Sequence, residues 1–451
     1  MDTIVALSTP LGRSGIGVIR LSGAQTLEIT QKLLRDPAFA PAPRRSYLKK
    51  IYDANESNEP LDSALVTFFQ APASFTGEDI VEISGHGSPV ILRQIIDAAL
   101  KFDARLAQPG EFSLRALASG QINLAQAEAI RDLIDAQSIG SARLAQRQLG
   151  GELSNELQPL KDKLLNVIVV LESALEFVED DLPDVATERI KTNLLEINCE
   201  LEKMANTFRA GRLLREGLKV ALVGRPNVGK SSLFNALLGH DRAIVTEIAG
   251  TTRDQLRESL NIKNIPVALI DTAGVRETID TVEKIGVERT HRAIADADLV
   301  IVILDASEKL SAEDREVLTA TTDAPRVIAL NKTDLNANFD FSLLQQNTKI
   351  VAVSAKTGFG LEELQNQIVA PFAANDVQSN SFLISDARHH DLLRRAQIEI
   401  ENSLPLLEAR MSEEIVLVGL HNALRFLGEI TGETTSEDVL TRIFETFCIG
   451  K

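Results

Sequence analysis

The sequence predicts a multidomain chain of mixed α/β and α class, with an α/β module first, a helical domain next, and a doubly wound α/β domain inserted into the helices. Three observations predict it. Short β-type runs alternate with helical stretches early in the chain. Apolar residues recur at three-to-four spacing in two distant segments. Between those segments lies a strand, a glycine-rich turn and a helix start, followed by further apolar strands that each end in a polar motif.

Residues 1–118 carry the runs Ile16 to Leu21, Ala64 to Phe69 and Ile80 to Ile83, mixed with helical stretches such as Val90 to Leu100, and read as an α/β module. Residues 119–215 are helical, because Leu153, Leu157, Leu160, Leu164, Val167 and Leu171 fall on one face. Pro159 is read near a helix start, and Pro183, in an acidic run, as a break before the next helix. Residues 216–375 form the doubly wound domain. A polar link, Asn375 to Ser381, leads into 376–451, where Leu392, Ala396, Ile400, Leu404 and Leu407 line one helical face. Neither helical segment has an evident core of its own. Packing the two together is the economical solution, and it makes the intervening domain an insertion.

At 451 residues the chain has room for roughly two to four domains. Its 44% hydrophobic content supports real cores and its 25% charged residues favour solubility. No segment approaches the roughly 20 apolar residues that cross a bilayer. Residues 1–7 lack a basic n-region and read as a strand, not an export signal. Two cysteines, Cys199 and Cys448, make no disulfide framework, and the six histidines form no zinc spacing with them. A cytoplasmic location is expected.

A net charge of −17 argues against non-specific nucleic-acid binding by the whole surface. With no Trp and two Tyr, there are few platforms on which bases stack. The basic clusters, Arg44 and Arg45 with Lys49 and Lys50, and Arg388 through Arg395, read as solvated faces. Action on RNA would rely on a small patch, a tail or a partner.

The strand Leu218 to Val223 runs into Gly224, Arg225, Pro226, Asn227, Val228, Gly229, Lys230, Ser231 and Ser232. Strand, glycine turn and helix start are the context of a phosphate-binding loop. The glycines let backbone N–H groups curl around β- and γ-phosphates, and the helix N-terminus favours negative charge. Lys230 reaches the phosphate oxygens and the Ser231 hydroxyl holds Mg2+.

Asn331, Lys332, Thr333 and Asp334 end the strand Val327 to Leu330. The Asp334 carboxylate accepts from N1–H and the exocyclic amine of guanine. Adenine has neither donor there, so ATP would leave a buried acceptor unpaired. Ser354, Ala355 and Lys356 follow the strand Lys349 to Val353 and bring backbone to the guanine carbonyl. Asp271, Thr272, Ala273 and Gly274 end the strand Val267 to Ile270, with Asp271 in the outer shell of magnesium. Thr246, Glu247, Ile248, Ala249, Gly250, Thr251 and Thr252 lie between the first helix and the next strand and bring a threonine hydroxyl to the metal. Each piece alone is an ordinary βα turn. Five in this order imply a Ras-like P-loop domain that binds and hydrolyses GTP with Mg2+.

One position departs from the Ras pattern. Val275 stands where a glutamine would orient the attacking water, and no arginine in cis is evident. Hydrolysis then needs another cation and another group on the water. Asn227 offers a carbonyl oxygen, a hard ligand for a monovalent cation, and the loop Thr246 to Thr251 can add backbone oxygens. Glu283, in the polar run Arg276 to Lys284, is the best carboxylate for the water, against the bland reading of a solvated helix residue.

With Thr76 to Asp79 (Thr-Gly-Glu-Asp), Pro109 to Phe112 (Pro-Gly-Glu-Phe) and the tail Cys448, Ile449, Gly450, Lys451, the whole chain resembles the MnmE (TrmE) family of tRNA-modification GTPases. The resemblance implies a homodimer made through N-terminal domains of folate-binding type. It also implies a one-carbon folate (5-formyl- or methylene-tetrahydrofolate) and a partner, MnmG, that binds FAD. Together such proteins add a (carboxymethyl)aminomethyl group to C5 of the wobble uridine, position 34, of certain tRNAs.

By motif position the family assigns K+ to Asn227, Thr246, Ile248 and Thr251, Mg2+ to Ser231 and Thr252, and the catalytic role to Glu283. It assigns the folate to Arg20, Glu82, Gln121 and Lys451. Gln121 departs from the lysine that relatives can carry, and its amide lacks charge attraction for the folate carboxylates. Arg20 alone would read as a strand-edge charge.

Cys448 is four residues from the end, but Gly450 and Lys451 make a poor prenylation box. A neighbouring cation favours its thiolate, so a redox or one-carbon role stands beside that of a structural tail. Two rival readings exist. A ribosome-assembly switch of the Era or Der kind would need a KH-type module or a second G domain, and neither is visible. A folate enzyme with a vestigial G domain would not keep the full guanine and magnesium set.

Overall fold

In the computed structural model the residues described are 2–55, 59–176, 184–240, 257–263, 265–271, 294–335, 349–370, 382–409, 411–435, 437–447 and 450. The chain divides into two compact units. One comprises Met1–Arg131, Gln148–Asn155 and Arg425–Lys451, the other Asp132–Arg147 and Glu156–Leu424.

The first unit is built on a sheet of β1 (Ile4–Leu7), β2 (Ser14–Ser22), β3 (Ser46–Ile51), β4 (Asp62–Phe69), β5 (Ile80–Gly87) and β6 (Arg105–Leu106). Its order is β3-β4-β5-β2-β1-β6. All pairs are antiparallel except β1 with β6. Period-two alternation gives the sheet two different faces. Val5, Ile19, Leu21, Val81 and Ile83 form one core with α1 (Thr26–Leu34) and α2 (Pro89–Lys101). On the other face, Ile4 and Ala6 pack against Phe112 of α3 (Glu111–Ala118), while Arg20, Ser22 and Glu82 turn their polar groups to the same side. Next come α4 (Leu124–Ile134) and, later in sequence, the helix Glu437–Phe444, whose Phe444 packs with Phe447, Leu124 and Ala127.

The basic cluster at Lys49 and Lys50 is an edge strand, β3. Lysines suit an edge because they discourage pairing with another chain, and Lys49 is also bonded to Asp36 at 2.9 Å.

In the second unit, α5 (Ile139–Leu149) and α6 (Glu152–Glu176), both shared with the first, precede α7 (Asp184–Asn206) and α8 (Phe208–Glu216). The five leucines and one valine expected on one face of α6 are all buried. Pro159 lies in the third turn of α6 rather than at its start. A later helix, Ala387–Glu408, packs on α7 and adds the pairs Lys191–Glu408 at 2.5 Å and Asn198–Glu401 at 3.1 Å. Ala387–Glu408, from the later helical segment, thus lies against α7 of the earlier one.

From α8 the chain enters β7 (Leu218–Val223), then α9 (Lys230–His240), β8 (Arg257–Ile262), β9 (Ile265–Asp271), β10 (Leu299–Asp305), α10 (Ala312–Ala320), β11 (Arg326–Asn331), β12 (Lys349–Ala352) and α11 (Leu361–Val369). The sheet order is β12-β11-β10-β7-β9-β8, parallel except for β8 with β9. β10 is buried along its entire length, with Leu299, Ile301 and Ile303 in one core and Val300, Val302 and Leu304 in the other. Covering on both faces is why these strands read as continuous apolar runs.

Candidate functional site

β7 has β9 on one side and β10 on the other, so the chain reverses its winding beside β7. In open α/β sheets that point leaves a crevice outside the carboxyl ends of the strands, where ligands bind. The motifs collect there. Asn227 (φ 62°) and Gly229 (φ 97°) take left-handed backbone, which curls the turn. Lys230 Nζ donates to Gly224 O at 2.7 Å and to Arg225 O at 2.8 Å, closing the loop on itself. A Cβ at Gly229 would collide with Asn331 Nδ2, so glycine is what allows the next contact.

Buried Asn331 ties three motifs together. Its Nδ2 donates to Val228 O at 2.9 Å, and its Oδ1 accepts from Ala355 N at 3.0 Å. Ser354 Oγ donates to Asp334 Oδ1 at 2.7 Å, and Thr333 Oγ1 to Val353 O at 2.9 Å. The Ser354 hydrogen bond, ahead of the Lys356 charge, holds the exposed Asp334 carboxyl below its ordinary range. It is ionised at neutral pH, as an acceptor for paired N–H donors must be. Ser231 and Ser232 lie on the exposed first turn of α9, and Asp271 ends β9 in register with Leu222. An exposed serine beside a lysine whose ammonium bridges loop carbonyls fits a magnesium-bound phosphate.

A second cluster lies in the first unit. Arg20 on β2 and Glu82 on β5 are direct cross-strand partners. Arg20 Nε and Nη2 donate to Glu82 Oε1 at 3.0 and 2.7 Å. The guanidinium sits 5.8 Å from the Phe75 ring centroid and 5.7 Å from that of Phe112, a cation between two aromatic faces. Gly450 closes the cluster. Its carbonyl accepts from Ser8 Oγ at 3.2 Å and Arg20 Nη1 at 3.4 Å. At φ 94°, a Cβ on Gly450 would strike Leu7 O. Gln121 is exposed beside Gly77, and among the described residues no hydrogen bond joins it to Arg20 or Glu82.

The two short N-terminal motifs meet through a residue that sequence reasoning passed over. Arg115, 7% exposed, donates to Glu78 Oε2 at 3.0 Å, Glu111 Oε1 at 3.0 Å and Asp2 Oδ1 at 2.8 Å. Ser22 Oγ bonds Glu78 Oε2 at 2.8 Å and Thr76 Oγ1 at 2.7 Å. The legible signal was local: Glu111 and Arg115 are i,i+4 on one helix.

The TrmE N-terminus family, described as a GTP-binding protein, matches residues 3–121, and the MnmE helical domain family matches residues 124–448. A protein of Koribacter versatilis named tRNA modification GTPase MnmE is 43% identical, across 100% of this chain and 99% of its own. One of the same name from Aquifex aeolicus is 42% identical across 100% of both. The chain belongs to the MnmE family of tRNA modification GTPases.

A solved FeoB G domain from T. maritima shares 34% identity over 34% of this chain and 97% of its own, at a TM-score of 0.27. MnmE relatives align from end to end, whereas an Era or Der reading leaves the matches at 3–121 and 124–448 unexplained. Of the residues read as an MnmE site, Thr246, Glu247, Ile248, Ala249, Gly250, Thr251, Thr252, Thr272, Ala273, Gly274, Glu283, Cys448 and Lys451 lie outside the described residues, as does Val275. Among the described residues no helix is long and apolar enough to cross a membrane.

Proposed function

We propose that this chain is a potassium-dependent GTPase that acts as a homodimer with MnmG and adds a (carboxymethyl)aminomethyl group to C5 of the wobble uridine in certain tRNAs. The observation that carries the GTPase half is Asn331, whose side chain binds the phosphate loop at Val228 and the guanine loop at Ala355 at once. Asp334, ionised and oriented by Ser354, receives the guanine edge. Lys230 exchanges its loop carbonyls for phosphate oxygens, and Ser231 with Thr252 holds Mg2+. Asn227 starts a potassium site that Thr246, Ile248 and Thr251 complete through backbone oxygens. The cation takes the place of an arginine finger, and Glu283 orients the water that Val275 cannot.

The one-carbon half rests on the Arg20–Glu82 cluster. Glu82 is an acceptor for ring N–H donors, and Arg20, flanked by Phe75 and Phe112, gives a flat heterocycle an aromatic and cationic wall. A bound tetrahydrofolate would supply the transferred carbon. Gln121 and Lys451 are assigned to its remaining polar groups, and Cys448 to the tail beside it.

Mass spectrometry of wobble uridines in tRNA from a strain lacking this protein tests the reading. The C5-modified nucleosides should vanish and return with the wild-type gene. An unchanged nucleoside profile, with no paralogue present, would sink it.

A further inference from the structure

The turn that carries Asp334 has an unusual backbone and an uncommon brace. Lys332 has φ 66°, in the left-handed region that a branched-chain or long side chain rarely adopts. Such a conformation persists where its surroundings over-determine it. Here Leu335 N donates to Lys332 O at 3.0 Å and Thr333 N to Val353 O at 3.2 Å, and the Lys332 side chain itself is held by a buried carboxylate. Asp305, at the carboxyl end of β10 and directly across from Asn331 in the ladder, receives Lys332 Nζ on Oδ2 at 2.6 Å.

The Asp305 side chain is only 2% exposed. Its other oxygen accepts from Ser307 N at 2.9 Å and Ser307 Oγ at 2.6 Å. Ala306 N bonds Asn331 O at 2.8 Å, so backbone and side chain fasten the same two segments. Burial opposes the charge on Asp305, yet the Lys332 and Ser307 hydrogen bonds hold its carboxyl below the ordinary range.

The same loop reaches the phosphate side. Arg225 Nη2 pairs with Glu308 Oε2 at 2.6 Å, and its Nε with Asp314 Oδ2 at 3.2 Å. Asp314 is itself fixed in the capping box that Ser311 opens at the start of α10. The 305–314 segment thus holds the Lys332 turn at one end and the phosphate loop at the other.

We propose that Asp305 is a positioning residue for guanine selection: by clamping the Lys332 ammonium it fixes the left-handed turn that presents Asp334 to the base. Asp305 touches no nucleotide atom itself. Its effect falls on the base edge and not on the phosphates, which separates this role from general support of the fold. The inference rests on the guanine-nucleotide reading of the site.

The test compares GTP with ITP, which keeps N1–H but lacks the exocyclic amine that Asp334 also accepts from. Binding of GTP, ITP and ATP is measured for wild type, Asp305→Asn, Ser307→Ala, Lys332→Gln and the Asp305→Asn/Lys332→Gln double variant, with thermal unfolding of each. Asp305→Asn should cut the GTP-over-ITP preference about tenfold, and Ser307→Ala should cut it by less. The double variant should be no worse than the poorer single one, because the two residues act as one unit.

A GTP-over-ITP ratio equal to wild type in folded Asp305→Asn overturns the proposal, even if affinity for both nucleotides drops. Should that variant not fold, an unchanged ratio in Ser307→Ala overturns it instead. A wild-type protein that fails to prefer GTP over ATP would refute the underlying site reading, a distinct outcome.

Discussion

Asp334→Asn alters one functional group and tests the chemistry of base recognition directly. An amide offers a donor where guanine also has donors, so GTP affinity should fall about 10- to 100-fold, the range for a lost charged hydrogen bond. Xanthosine triphosphate, with a carbonyl in place of the amine, should lose less or gain. Isothermal titration with both nucleotides measures this, and equal losses would mean that Asp334 does not face the base. Glu283→Ala makes the complementary prediction. A group acting on water lowers turnover at saturating GTP, by about 100-fold, and leaves GTP affinity near wild type. Single-turnover kinetics beside a binding titration separate the two. A parallel loss of affinity would make Glu283 a structural residue.

At the scale of elements, Arg115 joins α3, the loop before β5 and the residues ahead of β1. Arg115→Met keeps the volume but removes the buried cation that Glu78, Glu111 and Asp2 share, and should cost about 3 kcal/mol, as for removal of one partner from a buried pair. Denaturant unfolding reads the loss. A cost within error would show that the carboxylates find other partners.

The neighbouring charges also set an acid limit. The Arg105 hydrogen bond, with Arg115 beyond it, lowers Asp2 from 3.8 to about 2, and Glu111, despite burial, is lowered by Arg105, Gln108 N–H and Arg115. A carboxyl depressed in the folded state contributes stability in full above its unfolded pKa and loses it as pH falls toward the folded one. For Asp2 that window runs from 3.8 down to about 2. Stability measured across it should drop less steeply in Arg105→Gln than in wild type; identical slopes would refute the linkage.

For the whole molecule, the potassium reading predicts faster GTP turnover in K+ than in Na+ at equal ionic strength. Equal rates would remove the cation from the mechanism. The tail makes a second prediction. Gly450 is held by Ser8 and Arg20 within the first unit, while the phosphate loop belongs to the second. Cys448→Ser should therefore impair tRNA modification with GTP turnover near wild type. Full modification by the serine variant would leave only a packing role for the tail.

The phosphate loop was legible because its chemistry is local: strand, glycine turn and helix are contiguous from Leu218 to His240, and each motif ends its own apolar run. The inserted order of the domains was likewise written in where the hydrophobic period changes. Other features needed the tertiary structure, because they depend on which strands become neighbours. β3 escaped notice because an edge strand with lysines lacks a clean apolar face. Arg115 meets Asp2 across 113 residues and Asn331 meets Val228 across 103, and Asp305 reaches Lys332 only because β10 lies beside β11. Sequence determines which groups can bond at such separations. Sheet order decides which of them do, since packing of the cores brings together partners that no local pattern specifies.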